Sequence, residues 1–157
     1  MVRIPLLYAP LRQTGEMTVK AEVRLMLRTV SGQFEPLDFL VDPGANLTAI
    51  SVARARRMGL AIPSRTIALS VNTAVGTVVQ QVHPGRITVQ VPGIDGTFSW
   101  PCHFVEHGPG IDPMPQLGLS GVLNDLRLTF DGTYSLDARY GVLLLETISA
   151  SRTPEPQ

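Results

Sequence analysis

Cysteine is almost absent from this sequence: Cys102 is the only one in 157 residues. An intrachain disulfide and a multi-cysteine metal site are thereby excluded, and a reducing, cytoplasmic setting is the default expectation. A surplus of charge is lacking too. Thirteen basic residues, twelve of them arginine, balance thirteen acidic ones and are spread along the chain. Such a balance leaves no electrostatic footprint for nucleic acid or an anionic membrane, and neither is expected as a partner. The densest basic cluster, RARR at 54–57, reads as the solvated face and last turn of a helix, where cations favour the dipole. Long apolar runs are also missing, with nothing near the roughly 18 residues of a membrane span. Prolines at 5 and 10 interrupt the apolar N-terminus, and no small-residue cleavage site follows, so no secretory leader is expected there.

What the chain does have is alternation. Segments 17–27, 36–42, 47–51, 65–73, 77–82, 85–93, 98–106, 126–132 and 140–146 alternate apolar with polar residues or are rich in β-branched ones. Breaks of Gly, Pro and Asn separate them, which predicts strands joined by short loops. One early helix is expected, with Ser51 as N-cap, VARARRM as body and Gly59 at the left-handed C-terminal position. A second short helix is expected near 120–126. The fold class is therefore mainly β, a closed or folded-over sheet, in one domain over 1–148. The polar, proline-rich tail at 149–157 is expected to be disordered. There is no internal repeat and no second copy of the acidic motif described next.

That motif is FLVDPGANLTAIS, residues 39–51. Asp-Pro-Gly is a competent β-turn, because proline presets the first central dihedral and glycine accepts a positive one. Yet Phe39, Leu40 and Val41 would deliver the Asp42 carboxylate to the end of a packed strand, where an acid seldom sits without a task. Residue chemistry alone leaves both readings open.

With Leu40, Val41, Asp42, Gly44, Ala45 and Thr48 in place, the stretch resembles the active-site signature of the retropepsin-like aspartic proteases. QLGLSGVLNDLRLTFDG at 116–132 is similar to that family's late apolar-Gly, helix and strand segment. SVNTAVGTVVQQV at 70–82 sits where its flap hairpin would be. The resemblance spans residues 17–146 and implies a closed barrel of short strands with a flap hairpin and one or two short helices. It implies an aspartic endopeptidase in which Asp42 is catalytic and Pro43, Gly44 and Ala45 form the active-site turn. Asn46, Ala74, Val75 and Gly76 would contact a peptide or protein substrate. No cofactor or metal is implied. Two carboxyls are needed and the chain offers one, so a homodimer would join Asp42 of each subunit at a two-fold axis.

The resemblance is incomplete. Pro43 stands where the family has Thr or Ser, whose hydroxyl reaches across the dimer axis; proline supplies neither that hydroxyl nor an N–H. The alternative function is therefore a peptide-binding or dimerisation module with impaired catalysis. Asn46 and Leu119 replace an acid and an arginine that pair in many members; Asn46 reads equally as a peptide contact or as a loop residue bonded locally.

Other candidates are weaker. His103, Glu106 and His107 have the H-x-x-E-H spacing of some zinc proteases, but Pro101, Phe104, Val105 and the following Gly-Pro-Gly favour a strand. On a strand, residues four apart lie about 13 Å from each other, too far to share an ion. Trp100 reads as core or partly buried surface. Asp125 and Asp131 read as capping and turn residues.

Overall fold

The computed structural model describes residues 1–10, 15–73 and 76–148, at positions 72 and 73 the backbone alone. Ala74, Val75 and the tail expected at 149–157 lie outside the described residues. Two short strands open the chain, β1 (Val2–Pro5) and β2 (Leu7–Pro10), followed by β3 (Met17–Lys20) and β4 (Glu22–Arg28). The acidic motif is framed by β5 (Phe34–Val41) and β6 (Thr48–Ser51), and β6 runs directly into α1 (Val52–Arg57). A hairpin of β7 (Ile67–Thr73) and the long β8 (Gly76–Gln90) precedes β9 (Phe98–Val105). The late segment holds β10 (Gln116–Leu117), α2 (Val122–Asp125), β11 (Leu126–Asp131) and β12 (Val142–Thr147). The mainly β class expected from the sequence is what is seen.

Alternation decides which face each strand buries. In β4, Val23, Leu25 and Leu27 are buried while Arg24 and Arg28 are exposed; in β5, Leu37, Phe39 and Val41 turn inward. These residues meet Ile50, Trp100, Phe104 and Val89 in one apolar core. Burying whole Leu, Ile and Phe side chains stabilises by about 1.5–3 kcal/mol each against exposure, and this burial holds the sheet in its register.

The main sheet has the order β4-β5-β10-β6-β9-β8-β7, and β4 also pairs with β8 through Met26 opposite Gln90 and Leu27 opposite Val89. The pairings thus return to their first strand. β10 is inserted parallel to β5 and antiparallel to β6. A second sheet, β1-β12-β11, joins the first and last described strands, and β2 and β3 form a separate ribbon.

The early helix is capped as expected. Ser51 Oγ accepts the Arg54 N–H at 3.2 Å, and Gly59 adopts a φ of 70° just past the helix end. Three details differ from the sequence expectation. The stretch 17–27 is interrupted at Ala21, whose carbonyl accepts the Val41 N–H. β1 and β2 are strands despite their prolines, which fall at the strand ends. And 77–82 and 85–93 are one strand rather than two. The Glu106 N–H donates to Gln81 O, so odd-numbered residues of β8 face β9 and Pro84 faces the other way, past the start of β7, where no donor is needed. Among the described residues no helix is long and apolar enough to cross a membrane.

Candidate active site

Strand β5 carries the chain to Asp42 at the end of the core. The turn that follows is closed by the Ala45 N–H donating to Asp42 O at 3.0 Å, with Pro43 and Gly44 at its two central positions. Gly44 does not use the positive φ that an Asp-Pro-Gly turn permits. Its N–H instead donates to Asp42 Oδ1 at 2.9 Å, folding the carboxylate back over its own turn. The turn reading and the acid reading of this stretch are therefore compatible. Proline is well suited to the first central position. Asp42 is half-buried, and Pro43 and Gly44 are exposed.

A second loop holds the first from beneath. The Asp42 N–H donates to Leu117 O at 3.1 Å, Leu119 N–H to Ala45 O at 3.0 Å, and Ser120 N–H to Asn46 O at 2.8 Å. Thr48 is fully buried, and its Oγ1 accepts the Gly118 N–H at 3.3 Å. The crossing is so close that a Cβ on Gly118 would lie 2.4 Å from the carbonyl carbon of Leu47. Only glycine fits there. Asn46 is exposed and its backbone belongs to this crossing; Leu119 is half-buried.

The hairpin of β7 and β8 pairs down to Thr73 opposite Gly76. Ala74 and Val75, expected at its tip, are outside the described residues; Gly76 is exposed with φ 123°. Between β6, β10 and the hairpin lies a cavity of about 210 Å³ lined by Ala49, Ile50, Gln80, Val105, His107, Met114 and Gln116, among others. Ala49 and Gln116 are paired across β6 and β10, one residue from the Leu117 carbonyl that accepts from Asp42. The lining mixes carboxamides and an imidazole with apolar walls.

Sequence reasoning missed Asp112. Its carboxylate accepts from Ser51 Oγ at 2.6 Å, from Arg54 Nε and Nη2 at 3.1 and 2.9 Å, and from Arg57 Nη2. The Arg54 bond first, then those from Ser51 and Arg57, hold this carboxyl well below the usual carboxylate range. The available signal was the arginine pair at 54 and 57, three apart on one helix face, but nothing local names their partner.

The remaining candidates fall elsewhere. His103 is within β9 and His107 lies beyond its end, and burial lowers the pKa of His103. Among the described residues no three metal-capable side chains converge. His83 stands at the base of the hairpin, its Nδ1 2.8 Å from Pro63 O and its Nε2 3.1 Å from Glu106 Oε1. Trp100 is core, and its Nε1–H donates to Asp125 Oδ2 at 2.9 Å. Asp125 is thus a core acceptor as well as a helix-end residue, while Asp131 Oδ1 takes the Thr133 N–H in a turn as expected. Cys102 is buried and its thiol is pushed up to about 12 by that burial, which removes it as a nucleophile.

Two comparisons with known proteins find a match. A family model described as gag-polyprotein putative aspartyl protease matches residues 28–108, more than half of the chain, including the Asp42 turn and the hairpin. The fold is similar to the crystal structure of a retropepsin-like aspartic protease from Rickettsia conorii, with TM-score 0.54 and 15% identity over 94% of this chain and 92% of that one. No curated protein sequence matches.

Proposed function

The chain belongs to the gag-polyprotein putative aspartyl protease family, a retropepsin-like family, and on that premise we propose that it is an aspartic endopeptidase acting as a homodimer. Asp42 of each subunit meets its counterpart at a two-fold axis, and the isologous contact builds the cleft. Two carboxyls held a few ångströms apart share one proton; the ionised one activates water and the protonated one polarises the scissile carbonyl. The observation that carries this reading is the Asp42 turn, a half-buried carboxylate at the end of a core strand, held by a glycine N–H and by a second loop crossing beneath it. An extended peptide would lie over this turn by strand-like hydrogen bonding, with Asn46 beside it and the β7–β8 hairpin, including Ala74, Val75 and Gly76, closing as a flap. The ring of strand pairings is read as a closed barrel, residues 1–148 as one domain and 149–157 as a disordered tail. A cytoplasmic site of action completes the proposal.

Pro43 favours a second reading. It lacks the hydroxyl that would cross the dimer axis, and losing about 0.5–1.5 kcal/mol per hydrogen bond in each subunit weakens the dimer. A weak dimer would leave a peptide-binding or dimerisation module with impaired catalysis. The experiment that separates the readings is digestion of a diverse peptide mixture between acidic and neutral pH, read by mass spectrometry, with Asp42→Asn as the control. Cleavage lost in the variant supports the enzyme. No cleavage at any pH, with a monomeric mass by sedimentation, rules it out and leaves the module.

A further inference from the structure

Residues 108–115 form neither helix nor strand and are built from Gly108, Pro109, Gly110, Pro113 and Pro115 with few other side chains. Their backbone is held within the segment by the Ile111 N–H on Gly108 O, and at its end by the Leu40 N–H on Pro115 O. In the middle of the segment the Asp112 side chain ties it down. All of its partners, Ser51, Arg54 and Arg57, belong to the junction of β6 and α1, 55 to 61 residues away in sequence. Ser51 does two things there, accepting the Arg54 N–H as helix cap and donating its own O–H to Asp112. The Arg54 and Asp112 side chains are each 26% exposed, so water screens this pair less than a surface pair.

The junction that receives Asp112 also carries Ala49 and Ile50, one wall of the cavity whose lining residue Gln116 precedes the Leu117 that accepts from Asp42; Pro113 and Met114, next to Asp112, form part of another wall. We infer that Asp112 is a positioning residue of the peptide cleft, latching the segment 108–115 to α1 and so fixing the width of the pocket that receives a substrate side chain. The pocket's role rests on the endopeptidase reading; the latch does not.

The test compares wild type, Asp112→Asn, Asp112→Glu and Arg54→Gln. Peroxide oxidation of Met114 and amide exchange across 108–115 are read by mass spectrometry, with Met26 as internal reference, and KM and kcat are measured on a peptide that the wild type cleaves. Losing charge-assisted bonds of this kind predicts that Asp112→Asn raises both rates about tenfold. Arg54→Gln, which leaves the acid in place, moves them the same way, and Asp112→Glu recovers most of the protection. KM rises several-fold in the two uncharged variants while kcat stays near wild type. Unchanged Met114 oxidation and exchange overturn the latch. Faster oxidation with unmoved KM overturns its role in the cleft. If the wild type cleaves no peptide, the endopeptidase reading fails, and the latch stands or falls on Met114 and exchange alone.

Discussion

Replacing Gly118 by alanine places a Cβ 2.4 Å from the carbonyl carbon of Leu47, 2.5 Å from its oxygen and 2.7 Å from its nitrogen. These are backbone atoms with no flexible end that could move aside. The two loops must separate, and the first bonds to lengthen are Gly118 N–H to Thr48 Oγ1 and Asp42 N–H to Leu117 O. Overpacking costs about 1–3 kcal/mol, and loss of the buried threonine bond adds about 0.5–1.5 kcal/mol. A total of about 1.5–4.5 kcal/mol corresponds, at roughly 2–4 °C per kcal/mol for a chain of this size, to a fall in Tm of about 3–18 °C. Thermal melting followed by circular dichroism measures it, with Gly132→Ala as control, because a Cβ at Gly132 meets nothing within 4 Å. A Gly118→Ala protein melting within about 2 °C of wild type would refute the reasoning. On the endopeptidase reading, any folded fraction of the variant should also cleave peptides more slowly, since Leu117 O helps to place Asp42.

Three further outcomes are expected. Asp125→Ala strands the buried Trp100 N–H and costs about 1–3 kcal/mol in urea denaturation, whereas Asp125→Asn keeps an acceptor and costs less. Asp112 has a folded pKa below its unfolded one, so its stabilisation is complete above the ordinary carboxylate range and fades as pH falls through the folded value. Urea melts of Asp112→Asn should therefore differ most from wild type at pH 7, and the gap should narrow at about pH 3. Gln116→Ile removes one of the two carboxamides from the cavity lining and, on the endopeptidase reading, should shift cleavage of a peptide library toward apolar side chains at the position the cavity receives.

Much of this architecture is readable from the chain because its causes are local. The helix α1 is announced by Ser51 and Gly59, and alternating strands such as β4 and β5 declare their buried face. The Asp42 turn is legible because an apolar run ends in an acid followed by Pro-Gly. Features whose causes are distant are silent. β10 has two residues and exists because it slots between β5 and β6. β1 takes its strand form from β12, on the far side of the sequence. Asp112 looks like a loop residue until Arg54 and Arg57 arrive beside it. Pro84 suggests a break, and only the direction of its missing N–H explains why β8 continues.

That continuity has a mechanical meaning. β9 pairs with β8 from Val82 to Val89, and Glu106, just past the end of β9, still reaches Gln81; among the described residues the ladder from Gly76 to Gln80, about 13 Å long, is with β7. The same strand ends against β4, where Gln90 sits opposite Met26. The hairpin is thus a cantilever whose beam is continuous with the wall that anchors it. A load on the hairpin is passed along one strand, through its root at Pro84 and Gly85, to the contact with β4, the strand that pairs with Asp42's own β5. Stiffening or softening that root would retune the tip without touching a residue near the acid.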